Sequence, residues 1–190
     1  MPNNINPANA FTLLRLLAVP GLAWLVETEQ YAGAFWVFLG AAASDGIDGF
    51  LARRCGWATP FGALLDTLAD KALGVTTLLL LTWQTLVPWW VTLAIVARDA
   101  IVIVGALAYR RLAGHLEIRP SWLGKTNTFL EFTLLCVVLA RAALLLPLAG
   151  WEQALFGVVF LTAASSGLHY VAVWSLRYRR ERLSLSRDRG

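Results

Sequence analysis

Charge is what this chain has least of. Only 15% of its 190 residues are Asp, Glu, Lys or Arg, where a soluble domain averages about 25%. That shortage, with 58% hydrophobic residues and a mean hydropathy of +0.62, excludes an ordinary water-soluble domain. Cysteine is nearly absent: Cys55 and Cys136 stand alone, without a second Cys or His at metal spacing, which argues against a disulfide framework and a thiolate metal site. The two histidines, His115 and His169, are isolated and read as structural or interfacial. Met1–Ala10 holds no Lys or Arg, so no signal-peptide n-region is present. Internal repeats, Gly/Ser linkers and persuasive strand alternation are missing as well.

What is present is a series of long apolar runs. They predict an all-α, polytopic integral membrane protein of about six transmembrane helices, placed near 11–27, 33–53, 63–84, 87–111, 125–147 and 153–176. A single membrane domain is expected over residues 1–190, with a basic tail at 177–190. Nine Trp and four Tyr supply interfacial anchors. Arg53, Arg54, Arg110, Arg111, Arg119, Lys125 and the tail arginines fall in alternate loops, while the opposite loops carry Glu27, Glu29 and Glu152. The positive-inside rule then places both termini and the segment between the second and third spans in the cytoplasm. The net charge of +4 fits this topology and contact with anionic membrane lipids, and calls for no nucleic acid.

Against that background, DGIDGFLARRCGWATPFGALLDTLAD sets four carboxylates at Asp45, Asp48, Asp66 and Asp70. Each pair is one helical turn apart, so each shares a helix face. Two such faces brought together form a cluster that needs cations to neutralise it. Mg²⁺ and Mn²⁺ favour carboxylate and phosphate oxygens, and two ions about 4 Å apart clamp a phosphoryl group during in-line displacement. Gly49 and Ala52 remove side-chain bulk beside the first pair, Arg53 offers a cation to phosphate, and Gly62 allows close helix approach. The bland alternative is a set of helix-end carboxylates paired with Arg53, Arg54 and Lys71. It accounts poorly for two turn-spaced pairs in an apolar chain, where ionisable residues are costly and usually functional.

The pattern D-x2-D-G-x2-A-R-x8-G-x3-D-x3-D resembles the signature of the CDP-alcohol phosphotransferase (CDP-alcohol phosphatidyltransferase) family, and the six-span layout extends the resemblance over nearly the whole chain. The resemblance implies transfer of a phosphatidyl group from CDP-diacylglycerol to an alcohol, with release of CMP and a two-metal Mg²⁺ or Mn²⁺ site. It implies that Asp45, Asp48 and Asp66 bind one ion, that Asp45, Asp66 and Asp70 serve the second, and that Asp70 is the catalytic base. Gly49, Ala52, Arg53 and Gly62 correspond to positions lining the cytidine-diphosphate site. Pro7, Asn9, Thr12 and Arg15 look like the P-x-N-x2-T-x2-R entry to the first helix, with a role in contacting nucleotide or phosphate. Asn9 reads equally well as a helix cap.

Arg98 and Lys125, the latter in IRPSWLGKTNT with Asn127, are the candidates for holding the acceptor. Arg98 also reads as half of an ion pair with Asp99, although adjacent helical residues point about 100° apart. The resemblance leaves two acceptors: phosphatidylglycerol, as in cardiolipin synthases, and glycerol 3-phosphate, as in phosphatidylglycerophosphate synthases. Arg98-Asp99, the 120–127 stretch and TAASSGLHYVAVW look more like the former, since the latter branch usually has Glu after that Arg and Lys where Asn127 stands. Thr67 follows Asp66 where the family usually has Pro, which leaves room for another alcohol. The resemblance further implies a homodimer in a bacterial-type inner membrane, with the site facing the cytoplasm. An intramembrane prenyltransferase would show two separated Asp motifs, and a cation transporter would not need Gly49, Ala52, Arg53 and Gly62 at these intervals.

Overall fold

The computed structural model describes residues 7–55, 60–113, 122–144 and 150–187. Six α-helices account for nearly all of them: α1 (Pro7–Glu27), α2 (Tyr31–Cys55), α3 (Pro60–Trp83), α4 (Trp89–Ala113), α5 (Trp122–Ala142) and α6 (Trp151–Arg187). No strand occurs among the described residues. The chain is thus all-α, with six helices where six spans are predicted. By length and composition, Trp122–Ala142 and Trp151–Trp174 are long and apolar enough to cross a membrane. α6 runs well past its expected end. At 37 residues it is about 55 Å long, against a hydrocarbon core of about 30 Å. The basic tail therefore continues the helix to Arg187, which suits its helix-favouring Arg and Leu content.

Tight turns close three helix ends. Glu29, Thr85 and Leu144 take left-handed backbone angles (φ 58°, 59° and 56°) just after α1, α3 and α5. After α1, Gln30 N–H reaches Leu25 C=O at 2.8 Å and Glu29 N–H reaches Val26 C=O at 3.1 Å. After α3, Leu86 bonds back to Leu81 at 2.9 Å and Thr85 to Thr82 at 3.0 Å. This paired pattern satisfies the last carbonyls that a helix leaves open. The large Trp side chains beside these turns, Trp83, Trp89 and Trp151, are exposed, as anchors at a membrane–water interface are.

The chain divides into two compact units: residues 1–88 with 132–152, and residues 89–131 with 153–190. In the first unit α1 packs against both α2 and α3. Its interior holds Leu22, Val26, Ala34, Phe38, Leu73, Leu78 and Leu81, all at most 2% exposed. Phe38 stacks on Phe132, ring centroids 5.3 Å apart. Arg141 closes this unit by an ion pair with Glu152. In the second unit Gly167 of α6 lies against Ile101 and the Arg98 stem on α4, its position for a Cβ 3.7 Å and 3.9 Å from them. Gly105 faces Trp174 in the same way. Small residues at such contacts let helix backbones approach, which is how helices hold together where lipid is as apolar as leucine. The large apolar side chains of Leu13, Leu14, Leu17, Ile103, Val104 and Phe129 point outward instead.

Candidate active site

The aspartate motif bridges α2 and α3, both in the first unit. Asp45, Asp48, Gly49, Ala52 and Arg53 lie on the last turns of α2, and Gly62 on the first turn of α3; Asn9 opens α1. The side chains of these seven positions lie outside the described residues. The helical assignment itself supports the spacing argument, since Asp45 and Asp48 are one turn apart on one continuous helix. Asp66 and Asp70 follow one another at i and i+4 on α3.

Asp66 is the organising carboxylate among the described residues. Arg15 Nη1 donates to its Oδ1 at 2.8 Å, and Thr12 Oγ1 lies 3.5 Å from the same oxygen. Thr12 and Arg15 are three residues apart on α1 and therefore share a face. The Arg15 side chain is fully buried, whereas that of Asp66 keeps 35% exposure. A buried guanidinium requires a partner, because an unpaired charge in a low-dielectric interior is prohibitively costly. Here α1 supplies the cation and α3 the anion, so the pair fixes the rotation of one helix against the other. Asp70 is exposed.

Both contacts to Asp66 fall on Oδ1. One turn along, Asp70 offers an exposed carboxylate. These two residues fit a hard divalent cation, whose preferred donors are carboxylate oxygens. Among the described residues, no group of three or more His, Cys, Asp or Glu gathers into a complete ligand set. The other two motif aspartates have side chains outside that description.

Thr12 and Arg15, expected to contact nucleotide or phosphate, both reach Asp66 in the structure. The sequence signal for it was available: a lone Arg inside an apolar helix demands a carboxylate. Which carboxylate it takes depends on packing.

In the second unit, Arg98 is buried and its guanidinium is already engaged. Nη1 donates to Asp99 Oδ1 at 2.7 Å, Nε donates to Ser166 Oγ at 3.3 Å, and the group lies 6.0 Å from the centre of the Tyr170 ring. The 100° offset between neighbours on a helix therefore does not prevent the Arg98–Asp99 ion pair, because the long arginine stem curls back along the helix. Ser166 and Tyr170, both on α6, were not singled out from the sequence.

Lys125 and Asn127 part company. Two residues apart on α5, they point about 200° apart. Lys125 is exposed, with Nζ 5.3 Å from the Trp122 ring centre. Asn127 is fully buried, and Glu131, one turn further along its face, is 6% exposed.

Comparison with known proteins supplies the remaining constraint. The family profile described as CDP-alcohol phosphatidyltransferase matches residues 5–173. A probable phosphatidylglycerophosphate synthase of Mycobacterium tuberculosis is 38% identical over 178 residues, covering 88% of this chain and 80% of that protein. The CDP-diacylglycerol–glycerol-3-phosphate 3-phosphatidyltransferase of Escherichia coli K12 is 33% identical over 173 residues, covering 88% and 93%. A CMP-forming cardiolipin synthase of Streptomyces coelicolor is 35% identical over 127 residues, covering 64% and 59%.

Proposed function

Since this chain belongs to the CDP-alcohol phosphatidyltransferase family, we propose that it transfers a phosphatidyl group from CDP-diacylglycerol to a glycerol-bearing acceptor and releases CMP. The chain is an enzyme of phospholipid biosynthesis; donor, acceptor and metal are inferred. The observation that carries the reading is the Arg15–Asp66–Thr12 contact within the aspartate motif. It holds one oxygen of Asp66.

Asp45, Asp48, Asp66 and Asp70 would hold Mg²⁺ or Mn²⁺. Bound there, the metal offsets pyrophosphate charge and stabilises CMP as it leaves. Arg15 orients Asp66. Asp70, exposed and one turn away, takes the proton of the acceptor hydroxyl as the new P–O bond forms. Gly49, Ala52, Arg53 and Gly62 leave room and charge for the cytidine diphosphate, with Asn9 and Thr12 at the entry to α1. Lipid tails would stay in the bilayer, and the basic loops support a site that faces the cytoplasm. A homodimer accords with the family resemblance.

For the acceptor, the charge of Arg98 is already balanced by Asp99, and Asn127 is neutral. This set suits an acceptor that offers a hydroxyl without a phosphomonoester, which is phosphatidylglycerol. A second reading, glycerol 3-phosphate, is favoured by the two relatives that match 88% of the chain, both named for phosphatidylglycerophosphate or glycerol-3-phosphate chemistry. In that case Lys125, exposed on α5, would meet the phosphate.

The deciding experiment supplies purified enzyme with CDP-diacylglycerol, Mg²⁺ and each alcohol in turn, with products identified by mass. Cardiolipin formed only with phosphatidylglycerol is the expected result. Phosphatidylglycerophosphate as sole product reverses the acceptor assignment, and absence of CMP with every alcohol refutes the reaction.

A further inference from the structure

Within the second unit an apolar groove of about 430 Å³ runs between α4 and α6, lined by Ala100, Ile101, Val104, Gly105, Val171 and Trp174. Val104 and Val171 are 63% and 51% exposed, so the groove opens outward. The two helices run in the same direction: Arg98 meets Ser166, Gly167 lies against Ile101, and further along both helices Gly105 lies against Trp174. Four residues beyond Gly105, and four beyond Trp174, the chain reads Tyr-Arg-Arg: Tyr109-Arg110-Arg111 on α4 and Tyr178-Arg179-Arg180 on α6. Both segments therefore begin at one level, about 6 Å past the Gly105–Trp174 contact. Arg111 stands seven residues after Val104, and Arg177 three after Trp174, positions that continue the faces lining the groove. Glu181 is the one carboxylate in the sequence from 177 to 187. The apolar stretch of α6 long enough to cross a membrane ends at Trp174, so these arginines start where hydrocarbon gives way to headgroups.

We propose that this unit holds an anionic glycerophospholipid, with one acyl chain in the α4–α6 groove and the phosphate between the two Tyr-Arg-Arg segments. Basic clusters beside membrane-spanning helices attract anionic headgroups, and guanidinium groups match phosphate oxygens two at a time. Tyrosine favours the same depth. A zwitterionic lipid offers an equal chain, but its own cation offsets the phosphate charge. A second copy of this chain, packed here about a two-fold axis along the membrane normal, would set arginine against arginine. The site stands apart from the transfer reaction, and none of its residues belongs to the aspartate motif.

The test exchanges the full-length protein, purified in a neutral detergent, with phosphatidylglycerol or phosphatidylcholine of identical chains. Native mass spectrometry counts the lipid retained on each chain, and the melting temperature is read with and without lipid. One phosphatidylglycerol per chain is expected, bound about tenfold or more tightly than phosphatidylcholine and raising the melting temperature further. In the double variant Arg111→Gln/Arg177→Gln that preference should fall to about one, with phosphatidylcholine binding unchanged. Val104→Trp, at an exposed position that fills the groove, should weaken both lipids. Melting of each variant without lipid separates lost binding from lost folding. Equal retention of the two lipids by wild type overturns the proposal, and so does a preference that survives the double variant. Unchanged phosphatidylglycerol binding in Val104→Trp overturns the groove, leaving only attraction to the basic tail. Weakened binding in Val104→Trp together with a raised KM for CDP-diacylglycerol would assign the groove to the donor instead, which also overturns it.

Discussion

The guanidinium of Arg15 and the carboxylate of Asp66, 51 residues apart in sequence, meet at 2.8 Å with the arginine fully buried. The contact joins α1 to α3 and places a motif aspartate under a fixed positive charge. The pair ties the packing of these two helices to the aspartate motif.

Arg15→Ala should cost both stability and activity. Removing one partner of a buried pair typically costs about 3–5 kcal/mol, and the 35% exposure of Asp66 puts this case near about 3 kcal/mol. A lowered melting temperature in detergent together with reduced CMP release is the expected outcome. Arg15→Lys keeps the charge and should recover part of both. An Arg15→Ala enzyme with unchanged melting would show that the pair contributes little.

Asp70→Asn separates chemistry from folding. The side chain is exposed, so the melting temperature should stay within the small range usual for surface substitutions, about 0.5 kcal/mol. CMP release should nevertheless fall by about 10²-fold or more, as expected for loss of a general base. Normal turnover in this variant would remove Asp70 from the proposed mechanism.

Metal removal should act on the aspartates directly. Dialysis against a chelator is expected to abolish CMP release, and Mg²⁺ or Mn²⁺ to restore it. If the four carboxylates gather as proposed they repel one another without an ion, so metal should also raise the melting temperature of wild type. In Asp66→Asn that rise should shrink. An equal rise in wild type and Asp66→Asn would exclude Asp66 as a ligand.

Thr85 gives a prediction about the fold alone. It holds a φ of 59°, where a β-branched residue is strained. Thr85→Gly should stabilise the protein by about 1 kcal/mol, seen as a higher melting temperature with CMP release unchanged. A lower melting temperature would show that the threonine side chain contributes more than the strain costs.

How far the sequence could be read follows from the range of each interaction. Helix positions were legible because hydrophobic runs and their length are local properties. The predicted spans and observed helices agree to within a few residues except at α5, which ends at Ala142, and α6, which continues to Arg187. The first departure follows from the tight turn at Leu144; the second arises because a basic tail forms helix without needing lipid around it. The candidate site was legible in part, since Asp66 and Asp70 lie one turn apart on a continuous helix as their spacing required.

The sequence by itself determined the helical class, the aspartate motif and the family, because spacing along one chain settles which residues share a face. Tertiary structure decided the partnerships: Arg15 with Asp66, Arg98 with Ser166, and Asn127 inward while Lys125 stays outside. Periodicity along α1 does not say which face of α3 it will meet. That depends on how the helices are rotated in packing, and so does the choice of carboxylate that neutralises a buried arginine.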